Sequence, residues 1–233
     1  MGRRTAPRRP ALVGWPIVLL LAFDTATPAV TVALHDGERV LAAATSLDAR
    51  RHGELLAPAI ATVLRDAGAD RRDVSAIAVG VGPGPFTGLR VGLVTARTLG
   101  AALGVPVDGV CTLDAMAAGV VDLDDFVVAI DARRKEVYWA RYRRGDDSYR
   151  RVQGPAVSRP EDLARELPDD LPVLGRGALV YAEVLTHQPG PLDPDAAVLV
   201  EAVVRGEVEL LAAEPLYLRR PDVSVPGPRK PAL

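Results

Sequence analysis

The sequence predicts an α/β fold made of two duplicated halves, and three observations carry that expectation. Apolar and polar residues alternate with strand periodicity along "IVLLLAFDTATPAVTVALHDGERVLAAAT". Short apolar runs such as "VSAIAVGVG" lead through glycine-containing turns into segments of helical periodicity. A strand ending in aspartate, a turn and a second strand also occur twice: residues 21–24 match residues 128–131, and residues 30–33 match residues 137–140, at a common offset of 131 − 24 = 107. Repetition of a supersecondary unit points to a duplicated architecture. With 233 residues, 48% of them hydrophobic and 25% charged, the chain can bury one large core or two small ones.

Taken in order, the basic start "MGRRTAPRRP" and the apolar run at residues 17–23 resemble the opening of a secretory leader. The run is far below the roughly 20 residues needed to cross a bilayer, and it continues at once into Asp24 and a strand. Residues 1–16 are therefore expected to be a tail with solvated arginines. Turn residues at 25–28 and at Asp36-Gly37 divide the following segment into three antiparallel strands. From residue 52 to residue 67, Leu56, Ile60, Val63 and Leu64 fall at helical spacing, Gly68 suits the position after the helix, and Pro58 should bend its early turns.

"VSAIAVGVG" reads as a strand buried on both faces, and "GPGPFTGLR" carries the chain from it into a helix over residues 87–103. "VPVDGV" is a further strand, and "TLDAMAAG" a short helix with Thr112 as its cap and Gly119 as its stop. The second copy opens with "FVVAIDARRKEVYWARYRR". After it, residues 171–185 read as strand, glycine turn and helix, and residues 192–209 as a helix. The stretch from residue 214 is rich in proline and reads as a tail. Lobes are expected at residues 17–120 and 121–222, with a tail at 223–233.

Composition removes several function classes. A net charge of −2 gives no global field for nucleic acid or anionic membrane, so any RNA contact must be local. Cys111 is the single cysteine, which excludes a disulfide framework and suits a reducing cytoplasm. His35, His52 and His187 form no metal-binding pair, and no serine stands in a nucleophile-elbow context. The glycine loop lacks the Gly-Lys-Ser/Thr of a phosphate loop, its G-x-G-x-x-x-G spacing is one residue longer than the dinucleotide fingerprint, and Pro83 and Pro85 remove backbone donors. It reads as a stiff turn that aims a helix.

That helix carries Gly88, Gly92, Ala96 and Gly100 at four-residue intervals. Glycine inside a helix costs about 0.8–1 kcal/mol relative to alanine, so a close contact must offset it, either within the chain or across a subunit interface. Asp24 in "DTATP" reads equally as an ordinary turn residue or as a phosphate-facing carboxylate. The "ARRKE" tip after Asp131 reads first as a solvated hairpin and second as a contact for RNA or an acidic partner.

Five segments, "LLAFDTATPAVTVAL", "RRHGELLAPAI", "VGVGPGPFTGLRVGLVTARTLGAALGVPVDGVCTLDAMA", "VVAIDARRKEVYWARY" and "EPLYLRRPD", together resemble the bacterial TsaB (YeaZ) family. The resemblance covers nearly all of residues 17–222 and implies two duplicated lobes of the actin-like ATPase, sugar-kinase and Hsp70 type. It also implies a non-catalytic subunit, without cofactor and away from membranes, of the cytoplasmic assembly that adds a threonylcarbamoyl group to the adenosine 3′ of the tRNA anticodon. The implied partners are the catalytic paralogue TsaD, which carries a metal-binding histidine pair, and the ATPase TsaE. A homodimer is implied for the chain alone, and tRNA is reached through the complex.

By the same resemblance the partner contact falls on His52, Glu54, Leu56 and Ile60 of one helix and Thr87, Leu89, Arg90, Gly92, Leu93 and Ala96 of the next. Asp24, Thr25, Thr27, Gly82, Gly84 and Asp131 are the vestigial nucleotide-facing set. Pro85 and Gly53 each stand where the family commonly has serine, which weakens a polar role there and leaves packing intact. A divergent ATP-binding phosphotransferase of the same fold is the alternative.

Overall fold

The computed structural model describes residues 19–219; the expected tails at 1–16 and 223–233 lie outside them. Ten strands and six helices follow in the order β1 (Leu20–Asp24), β2 (Ala29–His35), β3 (Val40–Leu47), α1 (His52–Asp66), β4 (Ala76–Gly80), α2 (Phe86–Leu103), β5 (Val107–Val110), α3 (Thr112–Ala118), β6 (Asp125–Asp131), β7 (Val137–Arg144), β8 (Tyr149–Ser158), α4 (Pro160–Glu166), β9 (Val173–Leu174), α5 (Arg176–Val180), α6 (Ala196–Arg205) and β10 (Leu210–Ala212). They form a six-stranded sheet in the order β10-β5-β4-β1-β2-β3 and a four-stranded sheet in the order β8-β7-β6-β9.

Each sheet opens with an antiparallel three-strand meander and then places a strand parallel to its first one, β4 beside β1 and β9 beside β6. The two halves thus repeat one architecture, in keeping with the duplication expected from the sequence. β1, β2 and β4 are buried along their whole length, which explains their nearly unbroken apolar runs. β3 lies at the edge and is mostly exposed.

α1 and α2 cover one face of the first sheet over Leu21, Phe23, Val32 and Val79. α6 covers the other, over Leu20, Ala22 and Ala33. In the second sheet, Leu163 of α4 and Ala178 of α5 pack on Val127, Ala129 and Trp139, while Leu113 and Met116 of α3 pack on Phe126, Val128 and Ile130. The last helix of each half thus lies between the lobes, α3 reaching the second sheet and α6 returning to the first. Thr31 Oγ1 accepts a bond from Ala196 N at 2.9 Å, which fixes the start of α6, and Gly206, at φ 70°, ends it in the left-handed conformation. β10 then pairs antiparallel with β5.

Three expectations change. Phe23 pairs with Val32 on the face under α1 and α2, and Ala129 pairs with Trp139 on the face under α4 and α5. The offset is therefore 129 − 23 = 106 in the first strand and 139 − 32 = 107 in the second. A one-residue slip moves a strand's side chains to the opposite face, so Asp24 and Asp131 are not equivalent by face although both end a strand. Thr112 is the first residue of α3 and Cys111 stands at the cap position, because the threonine hydroxyl is engaged elsewhere. Residues 214–219 do not begin a free tail: Leu216 N donates to Val81 O at 2.8 Å and Tyr217 lies against α2.

Candidate functional site

The β1–β2 turn sits where α1, α2 and α3 converge. Asp24 accepts from Ala26 N at 2.6 Å and from the Thr112 hydroxyl at 2.7 Å, and it is fully buried. Burial pushes its carboxyl up to about 6, partly opposed by those two hydrogen bonds. The Thr25 hydroxyl donates to Gly88 O at 2.8 Å and accepts from Gly92 N at 3.0 Å. Those are the carbonyl and amide that i→i−4 bonding would join, so the turn is inserted into the side of α2. On the α1 side, His52 Nε2 donates to Thr27 O at 2.8 Å, and Thr27 Oγ1 accepts from Ala29 N at 3.2 Å.

This contact accounts for the small-residue stripe. A Cβ at Gly88 would lie 2.3 Å from Thr25 O, one at Gly92 2.6 Å from Thr25 Oγ1, and one at Gly100 2.2 Å from a Val107 methyl. In the glycine loop, a Cβ at Gly84 would lie 2.1 Å from Ala26 O, and Gly82, at φ 90°, gives its N–H to the Thr112 hydroxyl. The stripe packs within the chain, and the loop is filled by protein.

Of the vestigial nucleotide-facing set, Asp24, Thr25, Thr27, Gly82 and Gly84 do come together, but all five are buried. Asp131 lies apart at the end of β6, partly exposed, accepting from Arg133 N.

The residues expected at the partner contact divide in the same way. His52, Leu56, Ile60, Leu89, Gly92, Leu93 and Ala96 are buried in the chain's own core, and only Glu54, Thr87 and Arg90 are exposed. Seven of the ten residues expected at the contact therefore face the chain's own core, and three face solvent. Gly53, Ala57 and Ala61 line the exposed side of α1 beside Pro58, and α2 exposes Val94, at 63%, with Arg97 and Thr98. Of Gly53, Ala57, Ala61 and Val94, the sequence singled out Gly53 alone, since alanine and valine on a helix suit a core as well as a surface. The phase of Leu56, Ile60 and Val63 was the available clue, since it turns Ala57 and Ala61 outward.

At the start of α2, Arg90 Nε donates to the Tyr217 hydroxyl at 3.0 Å, and its guanidinium lies 5.3 Å from the Phe86 ring centroid. The Phe86 and Tyr217 rings meet tilted by 36°, with centroids 4.9 Å apart. Between the lobes, Arg151 of β8 holds both carboxylate oxygens of Asp114 on α3 at 2.9 Å, and the Tyr142 hydroxyl donates to Asp114 at 2.7 Å. Cys111 is buried nearby, and desolvation raises its thiol to about 12, so it carries no thiolate chemistry. No group of three metal-ligating side chains occurs among the described residues.

Residues 44–184 match the family model described as "TsaD: tRNA N6-adenosine threonylcarbamoyltransferase". Over the greater length of the chain, the Escherichia coli protein named tRNA threonylcarbamoyladenosine biosynthesis protein TsaB is 34% identical, covering 86% of this chain and 94% of that protein. The chain belongs to the TsaB (YeaZ) family. An uncharacterized protein from Mycobacterium tuberculosis is 44% identical, over 88% of this chain and 94% of its own. A Mycobacterium leprae relative is 45% identical over 88% of this chain, which spans 55% of that protein's length. The solved YeaZ from Pseudomonas aeruginosa superposes with a TM-score of 0.71 at 33% identity, covering 86% of this chain and 99% of that one.

Proposed function

We propose that this TsaB-family chain is the non-catalytic subunit that positions the catalytic paralogue TsaD in the assembly adding threonylcarbamoyl to the adenosine 3′ of the tRNA anticodon, with the ATPase TsaE as third component. The observation that carries the reading is the α1–α2 surface. Two helices, locked from beneath by the β1–β2 turn, expose Gly53, Ala57 and Ala61 on α1 and Val94 on α2. Interaxial distance between packed helices is set by the side chains at the contact. A rigid face of small residues therefore admits a second helix pair closely, and an exposed apolar patch of this kind suits a partner. The same face would join two copies of this chain when the paralogue is absent.

The test is light scattering on a size-exclusion column, with the chain alone and then mixed with the TsaD paralogue of the same organism. A new species with the mass of a heterodimer is expected. The double variant Ala57→Arg/Val94→Arg should not form it while melting as the parent does. A mixture that stays separate, or a double variant that still assembles, would count against the reading. The ATP-binding phosphotransferase alternative requires a nucleotide at a turn whose Asp24, Thr25 and Thr27 are at most 5% exposed. Calorimetric titration of the isolated chain with Mg·ATP should therefore be flat.

A further inference from the structure

The tip of the β6–β7 hairpin combines charge with an uncommon backbone. Among the described residues eleven have positive φ; seven are glycine, and three of the other four are the consecutive Arg133, Arg134 and Lys135, at 62°, 57° and 59°. This left-handed region is disfavoured wherever there is a Cβ. Glu136 N donates to Arg133 O at 3.1 Å, so Arg134 and Lys135 are the central residues of a tight turn with both φ values positive. Asn-Gly is the pair such a hairpin turn favours. The sequence places cations there instead, against the conformational preference.

The frame imposes the geometry. Arg133 N donates to Asp131 Oδ1 at 2.9 Å, Ala132 N donates to Glu136 O at 2.9 Å, and Arg219 reaches Ala132 O while pairing with Glu136. Both flanking carboxylates are therefore engaged by arginines. The Arg133–Asp131 pair, at 3.5 Å, leaves the guanidinium side chain 65% exposed, and a pair in water holds a cation only weakly. Lys135 has no ion-pair partner among the described residues. All three side chains are exposed, on a chain whose net charge is −2.

We propose that this tip is a direct contact for the phosphodiester backbone of RNA, an inference that rests on the reading of the chain as part of a tRNA-modifying assembly. Phosphate contacts need outward cations on a fixed frame and no apolar anchor. A protein partner would be anchored by Trp, Tyr or Arg side chains seated in desolvated pockets, whereas Arg133, Arg134 and Lys135 stand exposed with no aromatic residue among them.

The experiment compares the parent with Arg133→Asn/Arg134→Asn/Lys135→Gly, whose new residues suit the turn, so that melting should not fall. Affinity for an unmodified tRNA transcript is measured across a salt series, both in the complex with the catalytic paralogue and with this chain alone. Each lost phosphate contact should make log K against log salt shallower by about 0.7–0.9 and weaken binding roughly five-fold at about 0.1 M salt. Equal affinity and slope in parent and variant overturn the proposal. A variant that loses assembly but keeps its RNA affinity also overturns it and assigns the tip to an acidic protein partner. If the parent never assembles, the reading of the complex fails, and the chain-alone titration still decides the hairpin.

Discussion

At the scale of single residues, the "DTATP" turn shows how polar side chains are consumed inside the fold. Asp24 ends β1 with both carboxylate oxygens bonded and no solvent access, and desolvation raises its pKa from 3.8 to about 6. The sign follows from linkage: the native state binds the Asp24 proton more tightly than the unfolded chain, so the contribution of Asp24 to stability is greatest below pH 4 and is lost as pH rises towards 6. The 6 − 3.8 difference corresponds to about 3 kcal/mol. Asp24→Asn should remove that pH-dependent loss, so that parent and variant unfolding free energies, measured by denaturant titration from pH 4 to pH 7, diverge with rising pH in the variant's favour. A difference between parent and variant that stays constant between those limits would mean that Asp24 titrates normally. The sequence showed an aspartate and two threonines in a turn. That these groups face α2 and α3 depends on contacts 63 to 88 residues away, which no local pattern encodes.

Elements were legible where local periodicity and tertiary role agree. β1 to β5 and α1 to α3 were readable because continuous apolar runs, turn residues and helical spacing all point the same way. β8 was not, because Gly154-Pro155 interrupts it and its pairing with β7 shifts register twice. α2 was read correctly as a helix with a glycine face, but a glycine face alone does not say which neighbour approaches it. The structure answers with the chain's own β1–β2 turn, which makes Gly92 a stability residue. Gly92→Ala should destabilise the fold although alanine is the better helix former by about 0.8–1 kcal/mol, since its Cβ would meet Thr25 Oγ1 at 2.6 Å. Gly92→Leu should cost about 1–3 kcal/mol from overpacking. Ala57→Arg, on the exposed side of α1, should stay within about 0.5 kcal/mol of the parent. Thermal melts of the three variants check the ordering, and a Gly92→Leu protein that melts as the parent does would return the stripe to the partner surface.

Across the whole molecule, the duplication was visible as two strand pairs, whereas the way the halves close on each other was not. β10 has only three residues, and its partner β5 lies a hundred positions earlier, Leu210 opposite Val110. α6 has a clear helical pattern, yet nothing in that pattern says that it packs on β1 and β2 instead of on the strands nearest to it in sequence. The consequence is energetic. Leu199, Val200 and Val203 of α6 are buried against the first sheet, and at about 1.5–3 kcal/mol for each large apolar side chain they contribute on the order of a whole domain's net stability of about 5–15 kcal/mol. Loss of β10 would also leave β5 as a bare sheet edge. A chain ending at residue 195 should therefore lack a cooperative melt and bind a hydrophobic dye, even though both meanders and the helices α1 to α5 are still encoded. Cooperative unfolding of that shortened chain would show that the first lobe folds without α6, and the two halves would then be separable domains. With the dependence confirmed, any change that loosens α6 should also loosen the β1–β2 hairpin above it, and through Thr25 and His52 the α1–α2 surface on which assembly is proposed to depend.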